Sequence, residues 1–148
     1  MSDSDTLDIV DEQDRVLYQT SRGEAHAKGL LHRTTISEIR DSQGWWLMVK
    51  QSSGRQDAGQ YVLPVGGHVH TGETEDEALK RETEEECGLS DFKYKLIGKA
   101  IFNRFICNRQ ENHYFILYEI YSDEELKPNE ESVNYKGRCS KTPFFLIE

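Results

Sequence analysis

The segment from Gly67 to Leu89 constrains the fold more than any other part of this sequence, because it marks both ends of a helix. Thr74 and Glu77 have the spacing of a capping box, in which each side chain accepts a hydrogen bond from a free backbone N–H group at the start of the helix. Gly88 is the glycine that commonly follows a last helical turn. We therefore predict a helix between Thr74 and Gly88, preceded by a strand and a Gly66-Gly67 turn.

The predicted helix has two faces with different residue types. One is a stripe with a spacing of four residues that suits packing against a sheet, formed by Leu79, Thr83 and Cys87. The other brings three carboxylates together at positions i, i+3 and i+4, those of Glu82, Glu85 and Glu86. Such convergence is repulsive unless a cation lies between them, and oxygen ligands suit Mg²⁺, with Mn²⁺ as a substitute. The alternative interpretation is a solvated acidic face without a metal.

The charge of the chain supports the metal hypothesis and argues against one class of partner. The chain has 148 residues, with 18 Lys and Arg against 27 Asp and Glu, and a formal net charge of -9. Eight acidic residues and two basic ones lie between positions 73 and 86, so most of this charge is local. Nucleic acid polymers bind through clustered basic side chains, so we expect no such partner.

Most of the remaining chain has the pattern of strands. Apolar and alternating runs predict two hairpins, a strand before the glycines and two long strands after the helix. These segments are Leu7–Val10 with Val16–Tyr18, His32–Ile39 with Trp45–Val49, Tyr61–Val65, Lys93–Ile106 and His113–Tyr121. Strands on both sides of one helix predict an α+β fold in which the helix packs on a mixed sheet. The length predicts a single domain over residues 1–148.

The polar segments Gln51–Gln60 and Asp123–Glu131 predict loops, and the tail Tyr135–Glu148 predicts a strand or the start of a helix. An apolar end at Phe144–Ile147 is compatible with a homodimer, since exposed apolar patches tend to mark interfaces. Three widely spaced cysteines match neither a disulfide framework nor a zinc motif, and no signal peptide or membrane span is evident. We expect a cytoplasmic protein.

The helix segment also follows a fixed spacing of glycine, glutamate and arginine. The residues concerned are Gly67, Glu73, Arg81, Glu82, Glu85, Glu86, Gly88 and Leu89. This spacing resembles the Nudix box, G-x5-E-x7-R-E-U-x-E-E-x-G-U, with Thr83 as the one departure at an aliphatic U position. The resemblance implies a Nudix fold of α/β/α layers, whose C-terminal helix is short or missing here. It also implies Mg²⁺-dependent hydrolysis of a phosphoanhydride bond in a nucleoside diphosphate linked to another moiety.

The resemblance further implies roles for individual residues. Glu82, Glu85 and Glu86 are the expected metal ligands, completed by a backbone carbonyl of Gly66 or Gly67. A metal-activated water is the expected nucleophile. The general base varies in this superfamily, so Glu85 and Glu111 are both candidates, whereas Glu73 is expected to orient Arg81.

A second resemblance covers about residues 8 to 121. The segments Asp11–Leu17, Glu24–His26 and Gly29–Arg33 are similar to the entrance of isopentenyl diphosphate isomerases. Metal ligands of those isomerases correspond to His26, His32, His68 and Glu111 of this sequence. Imidazoles together with a carboxylate also suit a transition metal on chemical grounds. The alternative interpretation is that these histidines, and His113, are ordinary hydrogen-bonded residues.

The isomerase reaction needs a cysteine and a second glutamate, but this chain has Gly66 and His113 at those positions. We therefore favour hydrolysis of a small-molecule diphosphate over an isomerase-like reaction. A second alternative is a non-catalytic nucleotide-binding or regulatory Nudix domain. For the organic part of a substrate the sequence is less informative: Trp45, Trp46, Tyr61 and Phe105 are candidates to stack on a base, or belong to the core.

Overall fold

The structure is a computed structural model that describes residues 5–51, 61–106, 108–127 and 132–138. Its elements are β1 (Thr6–Val10), β2 (Val16–Ser21), α1 (Arg22–Lys28), β3 (His32–Arg40), β4 (Trp46–Gln51), β5 (Tyr61–Val62), β6 (Val65–His68), α2 (Glu75–Cys87), β7 (Lys93–Ile106), β8 (Arg109–Tyr121) and β9 (Ser132–Arg138). Of the predicted loop Gln51–Gln60, the first residue belongs to β4 and residues 52–60 lie outside the described residues. The apolar end over residues 144–147 and any C-terminal helix beyond β9 also lie outside them.

The nine described strands form one mixed sheet around β3. On one side β3 runs parallel to β8, which pairs with β7 as a long antiparallel hairpin. On the other side β3 pairs in turn with β1, β6 and β4, all antiparallel. The predicted α+β class and the two predicted N-terminal hairpins are confirmed.

Helix α2 begins and ends where the sequence predicts. The Thr74 side chain accepts from the Glu77 N–H, the Glu77 carboxylate accepts from the Thr74 N–H, and Gly88 ends the helix with a φ of 70°. The apolar stripe is buried on one face of the sheet, against residues that include Ile39, Ile116 and Ile120. This packing fixes which way the glutamates of α2 face.

Helix α1 is a finding that the sequence analysis missed. Its start is capped by Ser21, whose hydroxyl accepts from the Glu24 N–H, and its end is Gly29 with a φ of 63°. These capping signals are present in the sequence, but the helix is seven residues long and buries only Ala25. A helix this short has no apolar period to detect, so only its caps could have predicted it.

The prediction of a Gly66-Gly67 turn is wrong. Both glycines lie within strand β6, which pairs antiparallel with β3 through Ile36–Gly66 and Thr35–Gly67. The predicted strand Tyr61–Val65 is in fact divided into β5 and the start of β6, with Pro64 in the break. Proline lacks an N–H group for strand pairing, which explains the interruption.

Alternation along β3 gives the sheet two different faces. Helix α2 covers one of them. We call the opposite one the back face, and its β3 residues are His32, Thr34, Ile36, Glu38 and Arg40. Helix α1 lies at the His32 end of the back face, since its His26 ring contacts the rings of His32 and His68. Neither described helix has the length and apolar character needed to cross a membrane.

Candidate metal centre

The glutamates of α2 meet the two glycines of β6. Glu86 accepts a hydrogen bond from the Gly66 N–H at 3.2 Å through Oε2. Glu82 is 4% exposed, and its carboxylate occupies the space that a Cβ at Gly67 would need. The structure therefore brings Gly66, Gly67, Glu82 and Glu86 together, as predicted from the sequence.

Arg81 holds this group of carboxylates in place. Its guanidinium binds Glu73 with two hydrogen bonds of 2.8 and 2.9 Å, and it also donates to the His68 carbonyl at 3.0 Å. Its Nη1 donates to Glu82 at 2.6 Å and to Glu85 at 3.5 Å. Paired hydrogen bonds of this kind fix the plane of a guanidinium, so Arg81 can set the orientation of Glu82.

Four histidines form a second cluster on the back face. His26 comes from α1, His32 from β3, His68 from β6 and His113 from β8. The Nε2 atoms of His26 and His68 are 3.1 Å apart, and ligand atoms of His26, His32 and His68 all lie within 4.8 Å of one another. The His113 ring lies 4.8 Å from that of His32, and its Nδ1 is paired with the Thr34 hydroxyl at 2.7 Å.

A comparison with protein families identifies the chain at this point. A model of the NUDIX domain family matches residues 30–138, which include α2 and both clusters except His26. The chain belongs to the Nudix family.

Individual relatives agree with this assignment. The chain is 44% identical over 92 residues to an uncharacterized Nudix hydrolase of Streptomyces coelicolor, in a match that covers 61% of this chain and 51% of the relative. It is 33% identical over 102 residues to an uncharacterized Nudix hydrolase of Yersinia pestis, over 68% of this chain and 56% of the relative. The chain thus spans about half the length of the curated relatives it matches.

Solved structures show the same fold. A crystal structure of a Deinococcus radiodurans protein has a TM-score of 0.70 at 26% identity, over 89% of this chain and 81% of that one. The NUDIX domain of Shewanella oneidensis NrtR, complexed with ADP ribose, has a TM-score of 0.54 at 16% identity, over 69% of this chain and 67% of that domain. The Nudix fold predicted from the sequence is confirmed.

The electrostatics of the Nudix-box glutamates fit a cation. Burial raises the pKa of Glu82; Arg81 opposes this shift, whereas the nearby Glu85 adds to it. For Glu73, burial works against ionisation, but the hydrogen bonds from Arg81 and the His70 N–H outweigh it and lower the pKa. A divalent ion would compensate the buried charge of Glu82, and Nudix hydrolases generally use such an ion.

The two predicted base candidates lie in different surroundings. Glu85 has a 57% exposed side chain and shares Arg81 with Glu82, so it belongs to the Nudix-box cluster. Glu111 instead lies on β8, where it accepts from Arg104 at 3.1 Å and is 3.8 Å from His113. Glu111 therefore belongs to the histidine cluster on the back face.

Burial favours the neutral form of three of the clustered histidines. Burial is the main cause of a lowered pKa in His32, His68 and His113, and the pKa of His113 falls to about 4. Positive neighbours lower the pKa of each of them further. His32 is 1% exposed, and its Nε2 has no hydrogen-bond partner among the described residues. Its Nδ1 pairs with the Leu30 carbonyl at 2.8 Å, which leaves Nε2 as the free ligand atom. Neutral imidazoles are the form that binds metals.

Proposed function

We propose that this chain is a Mg²⁺-dependent hydrolase that cleaves a phosphoanhydride bond in a nucleoside diphosphate linked to another moiety. One observation carries the proposal: a buried glutamate, Glu82, converges with Glu85 and Glu86 beside the glycine pair of β6. Mn²⁺ is the expected substitute metal. The substrate is a small molecule.

Specific atoms are available for the metal. Glu82, Glu85 and Glu86 would hold it, together with a backbone carbonyl of Gly66 or Gly67. Bound Mg²⁺ supplies neutralisation of the diphosphate charge and a water acidic enough to act as nucleophile. The Gly67 carbonyl already accepts from the Thr35 hydroxyl at 3.2 Å, which holds this part of β6 in position.

The remaining roles are positioning of a metal ligand and proton transfer. Glu73 fixes Arg81, and Arg81 fixes Glu82, so these two act through the position of a metal ligand. For proton transfer the geometry favours Glu85, because it is exposed and lies within the glutamate cluster. Glu111, which lies beside the histidine cluster, is the second candidate for the general base.

The isomerase-like alternative draws support from the back face. Residues that correspond to the isomerase metal ligands do come together there, so we propose that the chain belongs to a Nudix subgroup with this isomerase-like entrance. Gly66 and His113 still replace the cysteine and the second glutamate that the isomerase reaction needs. Formation of the allylic isomer from isopentenyl diphosphate would favour this alternative.

The other alternative is a Nudix domain that binds nucleotides without turnover. The same fold holds ADP ribose in the Shewanella oneidensis domain, although a likeness at 16% identity concerns the fold alone. The complete set of Nudix-box glutamates favours hydrolysis here.

A substrate panel separates these functions. The full chain is incubated with nucleoside diphosphate compounds and Mg²⁺, and released mononucleotide or phosphate is measured. Glu86→Gln should abolish release, while Glu84→Gln is a matched control because Glu84 is exposed on the same helix. Binding without turnover across the panel would overturn the hydrolase proposal in favour of a binding domain.

We further propose one Nudix domain over residues 1–148 and a cytoplasmic location. The described strands all belong to one sheet, which supports a single domain. Cys87 is a free buried cysteine, and burial raises the pKa of its thiol to about 12, so it suits a reducing compartment. We also propose a homodimer, and a measurement of the molecular mass in solution tests this.

A further inference from the structure

We propose that Glu38, Trp46 and Glu119 on the back face form the recognition site for the base of the substrate, and that this base carries a carbonyl group, as guanine, cytosine and uracil do and adenine does not. The inference rests on the proposed function, because it assigns a site to the organic part of the same substrate. It comes from two buried polar groups that the fold leaves without partners.

The first of these groups is the Glu38 carboxylate. Glu38 is 1% exposed, and neither of its oxygens has a hydrogen-bond partner among the described residues. A buried carboxyl group without partners is costly, so such groups are rare unless they have a task. Thr34 and Thr35 are buried on the same strand, but their hydroxyls are hydrogen-bonded, to His113 Nδ1 and to the Gly67 carbonyl.

The second group is the indole N–H of Trp46. Trp46 is 3% exposed, and its Nε1 has no partner among the described residues. It pairs with Arg40 across β3 and β4, and the Arg40 guanidinium lies 5.5 Å from the ring centre. Arg40 is two residues from Glu38 on the same face, so an orphan donor and an orphan acceptor lie at the same end of the back face.

Glu119 completes the set as the partner of Glu38 in the parallel pairing of β3 and β8. It is buried, and its Oε1 lies 3.8 Å from Arg40. Burial first, and then the charge of Glu119, raise the pKa of Glu38 to about 7. Near neutral pH this carboxyl group is therefore available both as a hydrogen-bond acceptor and, when protonated, as a donor.

The position relative to the metal centre suits a nucleotide. Gly66 pairs with Ile36, and Glu38 lies two residues further along β3. With about 3.3 Å per residue and about 4.8 Å between strands, the Cα atoms of Glu38 and Gly66 are about 8 Å apart. A ribose between the base and its diphosphate can span this distance. Ile36 and Leu117, between the two sites, are half-buried, whereas Glu38, Trp46 and Glu119 are buried.

The chemistry of the orphan groups selects the base. Glu38 needs a group that donates N–H, and the Trp46 indole needs a carbonyl oxygen. Guanine offers two adjacent N–H donors and a carbonyl, whereas cytosine offers an amino group, a ring nitrogen that accepts from a protonated carboxyl, and a carbonyl. Uracil offers a ring N–H between two carbonyls, so it also contacts both groups when the Glu38 carboxyl is protonated. Adenine has no carbonyl for Trp46 and is therefore excluded from a full set of contacts.

The test measures equilibrium binding of CMP, GMP, AMP and UMP to the full chain with Mg²⁺, by calorimetry. We expect at least one of CMP, GMP and UMP to bind about tenfold more tightly than AMP, or more, since a good bidentate contact discriminates bases by about that factor. Glu38→Met keeps the side-chain volume and should remove the preference. Glu12→Met is the matched control on an exposed turn and should keep it.

Glu38→Gln separates guanine from the two pyrimidines. A glutamine can imitate a protonated carboxyl towards cytosine or uracil, but it has one acceptor where guanine needs two, so binding of CMP or UMP should persist and GMP binding should fall about tenfold. Trp46→Phe should lower the affinity for whichever mononucleotide the unmodified chain prefers.

Equal affinity for the four mononucleotides, or a preference that survives in Glu38→Met, would overturn the inference and leave buried water as the partner of Glu38. Hydrolysis without base preference would leave the proposed function standing. Base-selective binding without hydrolysis would instead remove the proposed function and keep the site.

Discussion

The Glu86 carboxylate accepts a hydrogen bond from the Gly66 backbone N–H at 3.2 Å, and this contact joins the Nudix-box helix to the edge of β6. Among the described strands β6 pairs with β3 alone, so Glu86 lies at a free edge of the sheet. A diphosphate held at this edge could therefore reach the α2 glutamates and a group on the back face at the same time.

Glu86→Gln should lower the Mg²⁺-dependent kcat/KM by about 100-fold or more, because even residues that only orient metal ligands typically contribute 10- to 100-fold. Steady-state rates over a series of Mg²⁺ concentrations measure this. Glu84→Gln should have rates close to those of the unmodified chain. A Glu86→Gln enzyme with full activity at low Mg²⁺ would contradict the assignment of this residue as a ligand.

Gly67→Ala should destabilise the fold, since the added Cβ would overlap the Glu82 carboxylate. We expect a loss of roughly 1–3 kcal/mol in the free energy of unfolding, as for other overpacked sites. Gly98→Ala is the control, because a Cβ there has no atom within 4 Å. Denaturant titrations of both variants provide the comparison, and equal stabilities would mean that Glu82 has room to move.

Arg81→Lys should reduce activity although it keeps the positive charge. A lysine cannot form the paired hydrogen bonds to Glu73 while also reaching Glu82. The expected signature is a weaker affinity for Mg²⁺, measured by metal titration, together with a lower kcat. Lys80→Arg, at the exposed neighbouring position, should change neither value. An unchanged Mg²⁺ affinity in Arg81→Lys would show that Arg81 does not act through Glu82.

The raised pKa of Glu38 predicts a pH dependence of stability. In the unfolded chain this carboxyl group loses its proton near the ordinary glutamate pKa of 4.5, whereas in the folded protein it keeps the proton up to about 7. The folded state therefore binds more protons between these values, and the contribution of Glu38 to stability falls as pH rises from about 4.5 to about 7. The charged groups near Glu119 are Arg40 and Lys95.

Glu38→Met removes that titration. The variant should gain stability relative to the unmodified chain as pH rises through this range, and the gain should level off above about 7. Thermal unfolding at a series of pH values measures the difference, with Glu12→Met as the control. A difference that does not vary with pH would contradict the raised pKa.

The histidine cluster should bind a transition metal. Addition of Co²⁺ should give the visible absorption of a nitrogen-coordinated ion, since ligand atoms of three imidazoles lie within 4.8 Å of one another. His26→Ala should remove this absorption. His70→Ala should not, because His70 lies against Asp5 and Glu73 instead. Absence of the spectrum in the unmodified chain would favour the interpretation of ordinary hydrogen-bonded histidines.

Local features of the site could be predicted from the sequence. The caps at Thr74 and Gly88 and the buried stripe of α2 follow from the period of a helix, which depends only on neighbours in the chain. The same period predicts that Glu82, Glu85 and Glu86 converge. The prediction of a Gly66-Gly67 turn was wrong because glycines also occur where a strand must approach another side chain closely, as Gly67 approaches Glu82.

The amino-acid sequence by itself thus determined the α+β class, the Nudix-box helix and its carboxylates, since these depend on spacing along the chain. Only the tertiary structure decided that Glu38 faces Glu119 and that Gly66 and Gly67 lie within a strand. The physical reason is strand register: the parallel pairing of β3 with β8 sets Glu38 beside Glu119 and His32 beside His113 across about 80 residues of chain. No local period in the sequence encodes that pairing.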